Sequence, residues 1–194
     1  MASLPPLEQY RELGKAIGLS DGLYFKREDL HPYGSHKGRS IPVMIDHYIK
    51  NGDRKFAISS SGNAGLAAAL YVKETNAKNK EAVELEIYVG LNAAPHKVNR
   101  LKELADDSVR VLIKERPLQA LTQAINDGVR SLRQSTDDTA LVGYKSLADE
   151  LPVGNIIFIG TSSGTTAQAL AEKFQTHIVQ TSSCHPLANA FESY

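Results

Sequence analysis

A chain of 194 residues, 42% hydrophobic and 23% charged, has the make-up of an ordinary globular protein with one large or two small domains; disorder, collagen and coiled coil are excluded. Twenty-two basic residues balance twenty-two acidic ones, so no overall field recruits nucleic acid or an anionic membrane, and a small neutral or zwitterionic ligand is the expected partner. The longest apolar run, 66–72, is far short of a membrane span, the first residues lack the features of a secretory signal, and a lone cysteine, Cys184, excludes an internal disulfide, which together lead to the expectation of a cytoplasmic protein.

Taken in chain order, short runs rich in Ile, Val, Phe and Tyr predict strands at 23–25, 56–58, 85–89, 109–113, 156–159 and 178–179. Helical spacing falls between them at 39–49, 64–73, 96–104, 118–132 and 165–174. Strand alternating with helix predicts an α/β fold with parallel sheets and flanking helices. In such sheets ligands bind beyond the carboxyl ends of strands, where loops run into helix starts. The most polar connection, 134–139, is the expected linker, and 78–81 reads as a solvated turn.

Three such loops carry chemistry. The first runs Lys26-Arg27-Glu28-Asp29-Leu30 and on through Gly34-Ser35-His36 to Lys37-Gly38-Arg39, which places Lys37 in a first helical turn. The positive end of a helix dipole opposes an ammonium group there, leaving an amine suited to imine formation; taken alone, Lys37 reads first as one surface lysine among many. The second, Ser59-Ser60-Ser61-Gly62-Asn63-Ala64-Gly65, offers hydroxyls and free backbone N–H groups to a carboxylate or phosphate, or simply caps a helix. The third, Gly160-Thr161-Ser162-Ser163-Gly164-Thr165, reads as a phosphate cradle without the P-loop spacing. It also fits the G-x-S-x-G elbow of a serine hydrolase with Ser162 as nucleophile, although Glu172 and His177 follow too closely to complete a triad comfortably. The six histidines form no metal-ligand pattern, so no metal is expected.

In this order the three loops resemble the fold-type II family of pyridoxal-phosphate enzymes, the group of tryptophan synthase β, threonine synthase and cysteine synthase. The first loop up to Lys37 is similar to the cofactor-lysine segment of tryptophan synthase β, and Gly38-Arg39 to the lysine-x-arginine of threonine and cysteine synthases. The second resembles the family's asparagine loop and the third its phosphate loop. Pro95-His96-Lys97-Val98-Asn99-Arg100-Leu101 and Gly143-Tyr144-Lys145-Ser146-Leu147-Ala148-Asp149-Glu150-Leu151 resemble threonine synthase-like segments.

The resemblance implies an α/β, tryptophan synthase β-like fold of two lobes, a smaller one at 37–139 and a larger, incomplete one from 1–36 plus 140–194. It implies pyridoxal 5'-phosphate as cofactor, held as an imine by Lys37, with His36 near its phosphate and Asn63 on its ring hydroxyl. Gly160, Thr161, Ser162, Ser163, Gly164 and Thr165 would hold the phosphate, and Ser60, Ser61, Gly62, Asn63 and Ala64 the substrate carboxylate. The implied activity is an amino-acid lyase or synthase, by β/γ-elimination or replacement, of the threonine synthase-like kind. A serine hydrolase and a non-catalytic cofactor- or anion-binding module are the alternatives. Family members continue further, with a late Ser or Thr facing the pyridine nitrogen that nothing here matches. The expectation is therefore impaired turnover and a homo-oligomer or complementary chain covering the open sheet.

Overall fold

A computed structural model of the chain describes residues 4–20, 22–78, 82–182 and 184–192; of the expected turn at 78–81, residues 79–81 lie outside this set. The first elements are β1 (Leu7–Gln9), α1 (Arg11–Ala16) and β2 (Tyr24–Lys26). β1 and β2 pair antiparallel, a departure from the all-parallel expectation. Arg27 holds this ribbon by reaching back to Glu8 at 2.7 Å while its other nitrogens engage Asp29. Most of α1 is exposed and carries no apolar stripe, which is why periodicity did not reveal it.

The central unit comprises α2 (Lys37–Lys50), β3 (Lys55–Ser59), α3 (Asn63–Lys78), β4 (Glu84–Gly90), α4 (Pro95–Lys102), β5 (Val109–Lys114), α5 (Pro117–Asn126) and β6 (Arg130–Ser131). Its four strands are parallel, in the order β5-β4-β3-β6. Phe56, Ile58, Leu85 and Ile87 point to one face and pack with Ile41, Met44 and Ile45 of α2 and the alanine-rich α3. Ala57 and Tyr88 point to the other, against Leu121 and Ala124 of α5. Both faces are covered, as parallel sheets require. The strand order reverses at β3: the chain steps outward to β4 and β5, and α5 then carries it back across the opposite face to β6.

The helix expected at 118–132 ends at Asn126, because Gly128 with φ +85° closes it; the chain then forms β6, and Leu132 donates its N–H to the Ala57 carbonyl as it leaves that strand. The expected linker at 134–139 is exposed at Ser135, Thr136 and Asp138 and anchored at its first residue: Gln134 is buried, and its amide donates to Ser40 and, at 2.7 Å, to the Tyr144 hydroxyl.

The remaining elements are α6 (Thr139–Asp149), β7 (Ile156–Gly160), α7 (Thr165–Ala171), β8 (Gln175–Val179) and α8 (Pro186–Glu192). β7 and β8 pair parallel, and their inner face packs Ile157 and Ile159 on Leu147, Leu170 and Phe174. The outer face is bare: Phe158 is 71% and Ile156 55% exposed, and Phe158 stacks on His177 of the neighbouring strand. Among the described residues no helix is long and apolar enough to cross a membrane.

α6 lies across α2 at Gly143, where an added Cβ would meet the Arg39 carbonyl oxygen and come within 2.5 Å of the Ser40 Cα. Both obstacles are backbone and cannot rotate away. Gly143→Ala should therefore destabilise the chain by about 1–3 kcal/mol through overpacking, despite alanine's better helix propensity, and urea unfolding of the two proteins would measure it.

Candidate active site

Lys37 opens α2, with the Ser35 hydroxyl accepting its backbone N–H at 3.2 Å. The turn before it needs Gly34 at φ +80°, pressed against Leu66 of α3, and Gly38, whose missing side chain is replaced by the His31 ring. The Lys37 Nζ lies 5.7 Å from the centroid of the Tyr144 ring and makes no ion pair among the described residues. His36 sits beside the same ring at 5.9 Å. Burial, reinforced by the charges of Lys37, His31 and Arg39, pushes the His36 imidazole down to about 4, so it stands neutral beside the lysine.

The position of α2 is set by Arg39. Its guanidinium, 3% exposed, donates through Nε and Nη2 to both oxygens of Glu28 at 2.7 Å and through Nη1 and Nη2 to those of Glu150 at 2.7 and 2.9 Å. Lys26 completes the group at 2.6 Å from Glu150. The charged run Lys26-Arg27-Glu28-Asp29 is thus not a ligand contact but a clamp: Lys26 and Glu28 grip α2 and α6, while Arg27 and Asp29 brace the β-ribbon. Arg39 and Lys26 hold the Glu150 carboxyl well down, at about 2.

The second loop leaves β3, where the strand order reverses, the position at which an open α/β sheet places its ligand crevice. Ser60 has a structural duty there, its Oγ accepting the N–H groups of Gly62 and Gly65 at 3.2 Å each. Gly65 is obligatory because an added Cβ would lie 2.8 Å from the Ser60 carbonyl oxygen. Asn63 is exposed at the first position of α3, and Gly62 has open space before it.

The third loop joins β7 to α7. Gly164 adopts φ +83°, its N–H is accepted by Thr161 Oγ1 at 3.1 Å, and the Ser163 and Thr165 hydroxyls bond each other at 3.0 Å. Open space faces Gly160, and the first N–H groups of α7 are the donors that a helix start leaves without an internal partner. Among the described residues the hydrolase alternative finds no triad around Ser162. Ser162 Oγ has the Cys184 thiol as its neighbour at 3.7 Å, His177 is stacked on Phe158, and His185 is bonded to the Thr181 carbonyl. Ser162 also lacks the positive φ that, among the described non-glycine residues, only Ser20 shows, so the strained turn of a nucleophile elbow is missing.

A family profile described as pyridoxal-phosphate dependent enzyme matches residues 4–193. The chain belongs to this family. A 69-residue stretch is 36% identical to the human L-serine dehydratase/L-threonine deaminase, covering 36% of this chain and 20% of that protein. Among solved structures, a pyridoxal 5'-phosphate-dependent aspartate racemase superposes with a TM-score of 0.75 at 20% identity, over 92% of this chain and 57% of its own. The processed form of threonine deaminase isoform 2 from Solanum lycopersicum gives 0.72 at 22% identity, over 92% and 50%. These likenesses show the fold, that of the fold-type II pyridoxal-phosphate enzymes, and the chain spans about half the length of these structures. The family's cofactor is pyridoxal 5'-phosphate.

Sequence reasoning selected the three loops and missed what supports them: Tyr144 under the lysine, Gln134 beneath Tyr144, and the Glu28–Arg39–Glu150 clamp. Arg39, a charge in the first turn of α2 just before the apolar Ile41, was the available signal for the clamp.

Acid should loosen this site in two steps. A histidine whose value is depressed on folding stabilises the fold above its ordinary 6.5, and this contribution is lost as pH falls toward about 4; Glu150 behaves alike between 4.5 and about 2. Thermal melting should decline from neutrality downward, with His36→Gln flattening the upper part of the curve. Glu150→Gln should cost about 3 kcal/mol at neutral pH by leaving Arg39 half-paired, and should flatten the lower part.

Proposed function

We propose that this chain is the cofactor-bearing part of an amino-acid lyase or synthase acting by β/γ-elimination or replacement, in the manner of threonine synthase, with a small amino acid as substrate. The observation that carries the reading is Lys37 at the start of α2, its Nζ beside Tyr144 and not tied up in an ion pair among the described residues, in a chain of the pyridoxal-phosphate family.

The residues fit the cofactor. Lys37 offers an amine for covalent attachment, and His36 beside it is held neutral. Asn63 would meet the ring hydroxyl. The Gly160-to-Thr165 loop joins open space before a glycine to backbone and hydroxyl donors suited to a phosphate. Ser61, Gly62, Asn63 and Ala64, with the hydroxyl proton of Ser60, would receive the substrate carboxylate at the start of α3. The bound cofactor supplies an electron sink for charge developing at the substrate α-carbon. Lys37 Nζ would be the base that takes the α-proton. The Arg39 clamp keeps that amine in register throughout.

Borohydride treatment in the presence of pyridoxal 5'-phosphate should fix a pyridoxyl group on Lys37, found by peptide mapping and absent from Lys37→Ala. A label elsewhere, or none with cofactor in excess, would sink the assignment. The bare outer face of the β7–β8 sheet, with Ile156, Phe158 and Val179 exposed, supports association with a second copy or a complementary chain. Sedimentation velocity should show a concentration-dependent assembly that Phe158→Glu disperses, whereas a wild-type chain that stays monomeric at high concentration rules it out.

A further inference from the structure

Gln180 follows β8 and turns its amide back onto the loop after β7. Its Nε2 donates to the carbonyl oxygens of Thr161 at 3.0 Å and Ser162 at 3.1 Å, and its Oε1 accepts the backbone N–H groups of Leu187 and Ala188, both at 3.2 Å, where α8 begins. A carboxamide has two N–H donors and two acceptor lone pairs, so these four bonds use its full capacity. The orientation is unambiguous, since a flipped amide would set its oxygen against two carbonyls and its NH₂ against two N–H groups. Gln180 therefore has nothing left for a ligand and acts by tying the loop to the start of α8.

The consequence follows from peptide geometry. In a trans peptide the carbonyl of one residue and the N–H of the next point in opposite directions. Drawing the Thr161 and Ser162 carbonyls toward Gln180 turns the N–H groups of Ser162 and Ser163 away from it. We infer that Gln180 is a positioning residue that orients these two N–H groups as donors to the cofactor phosphate. The inference rests on the reading of this loop as a phosphate cradle, and it adds a requirement for a neutral amide at position 180. A glutamate could still accept from Leu187 and Ala188 but would face two carbonyl oxygens with a charge of the same sign.

The test compares Gln180→Leu and Gln180→Glu with the wild-type chain, titrating each with pyridoxal 5'-phosphate and with pyridoxal, which lacks the phosphate, and reading binding by absorbance. The wild type should prefer the phosphorylated form. Both variants should lose about tenfold in affinity for it, the scale of a weakened charge-assisted hydrogen bond, while binding pyridoxal as the wild type does. Unchanged pyridoxal binding also reports that the rest of the site has folded. If either variant keeps the wild-type affinity for pyridoxal 5'-phosphate, or weakens toward both ligands equally, Gln180 does not orient the cradle. A wild-type chain with no preference between the two ligands would remove the cradle reading itself, and the inference with it.

Discussion

The arrangement depends on one buried guanidinium. Arg39 cannot keep its charge out of water unless that charge is neutralised in place, and the cost of an unpaired ion there would exceed any gain from packing α2. Glu28, just after β2, and Glu150, after α6, supply two carboxylates in the plane of the fork, and Lys26 offsets the second negative charge. The four groups form a neutral unit whose members come from three stretches of chain. Because Arg39 lies two residues from Lys37 on the same helix, satisfying the guanidinium also fixes the turn that carries the amine. Gly143 makes the geometry attainable, since α6 must approach the α2 backbone closely for Glu150 to reach Arg39.

A second constraint governs the loops. Each anion-receptive segment is a helix start in which side chains behind the loop tie down some backbone groups so that others are left for a ligand. Ser60 accepts the Gly62 and Gly65 N–H groups, Thr161 accepts that of Gly164, and Gln180 takes the Thr161 and Ser162 carbonyls. The hydroxyls and amides that sequence inspection assigns to ligands thus divide into those that shape the backbone and those that remain to bind. In this light Ser60 and Thr161 belong in large part to the first group.

The alternation of β-rich runs with helical spacing made the α/β class legible, and β3, β4, β5 and β7 with it, because each carries a short continuous apolar run. β6 escaped because it is only Arg130–Ser131, held in place by pairing with Phe56 and Ala57 rather than by an apolar signal of its own; the Gly128 helix terminator two residues earlier was the clue. The loops themselves were visible through their small and hydroxylic residues. Their partners were not, since Gln134, Tyr144, Glu150 and Gln180 are ordinary residue types whose significance comes from contacts far away in sequence. The charged run from Lys26 to Asp29 was legible as a signature, yet its physical role as a clamp emerges only when Glu150 is brought beside it.

The two halves of the site rest on unlike foundations. The asparagine loop grows from β3, a central strand with helices packed on both faces, so apolar burial holds its base. The third loop, the proposed phosphate cradle, grows from β7, one of a two-stranded pair whose outer face bears exposed Ile156 and Phe158. Burial can supply only part of the support there, and local hydrogen bonding must supply the rest. This is why the second loop needs only a serine behind it, whereas the third recruits the Gln180 amide from just after β8 and, through that amide, the start of α8. The loop with less core beneath it is the one whose backbone is fixed by a side chain from a second connection.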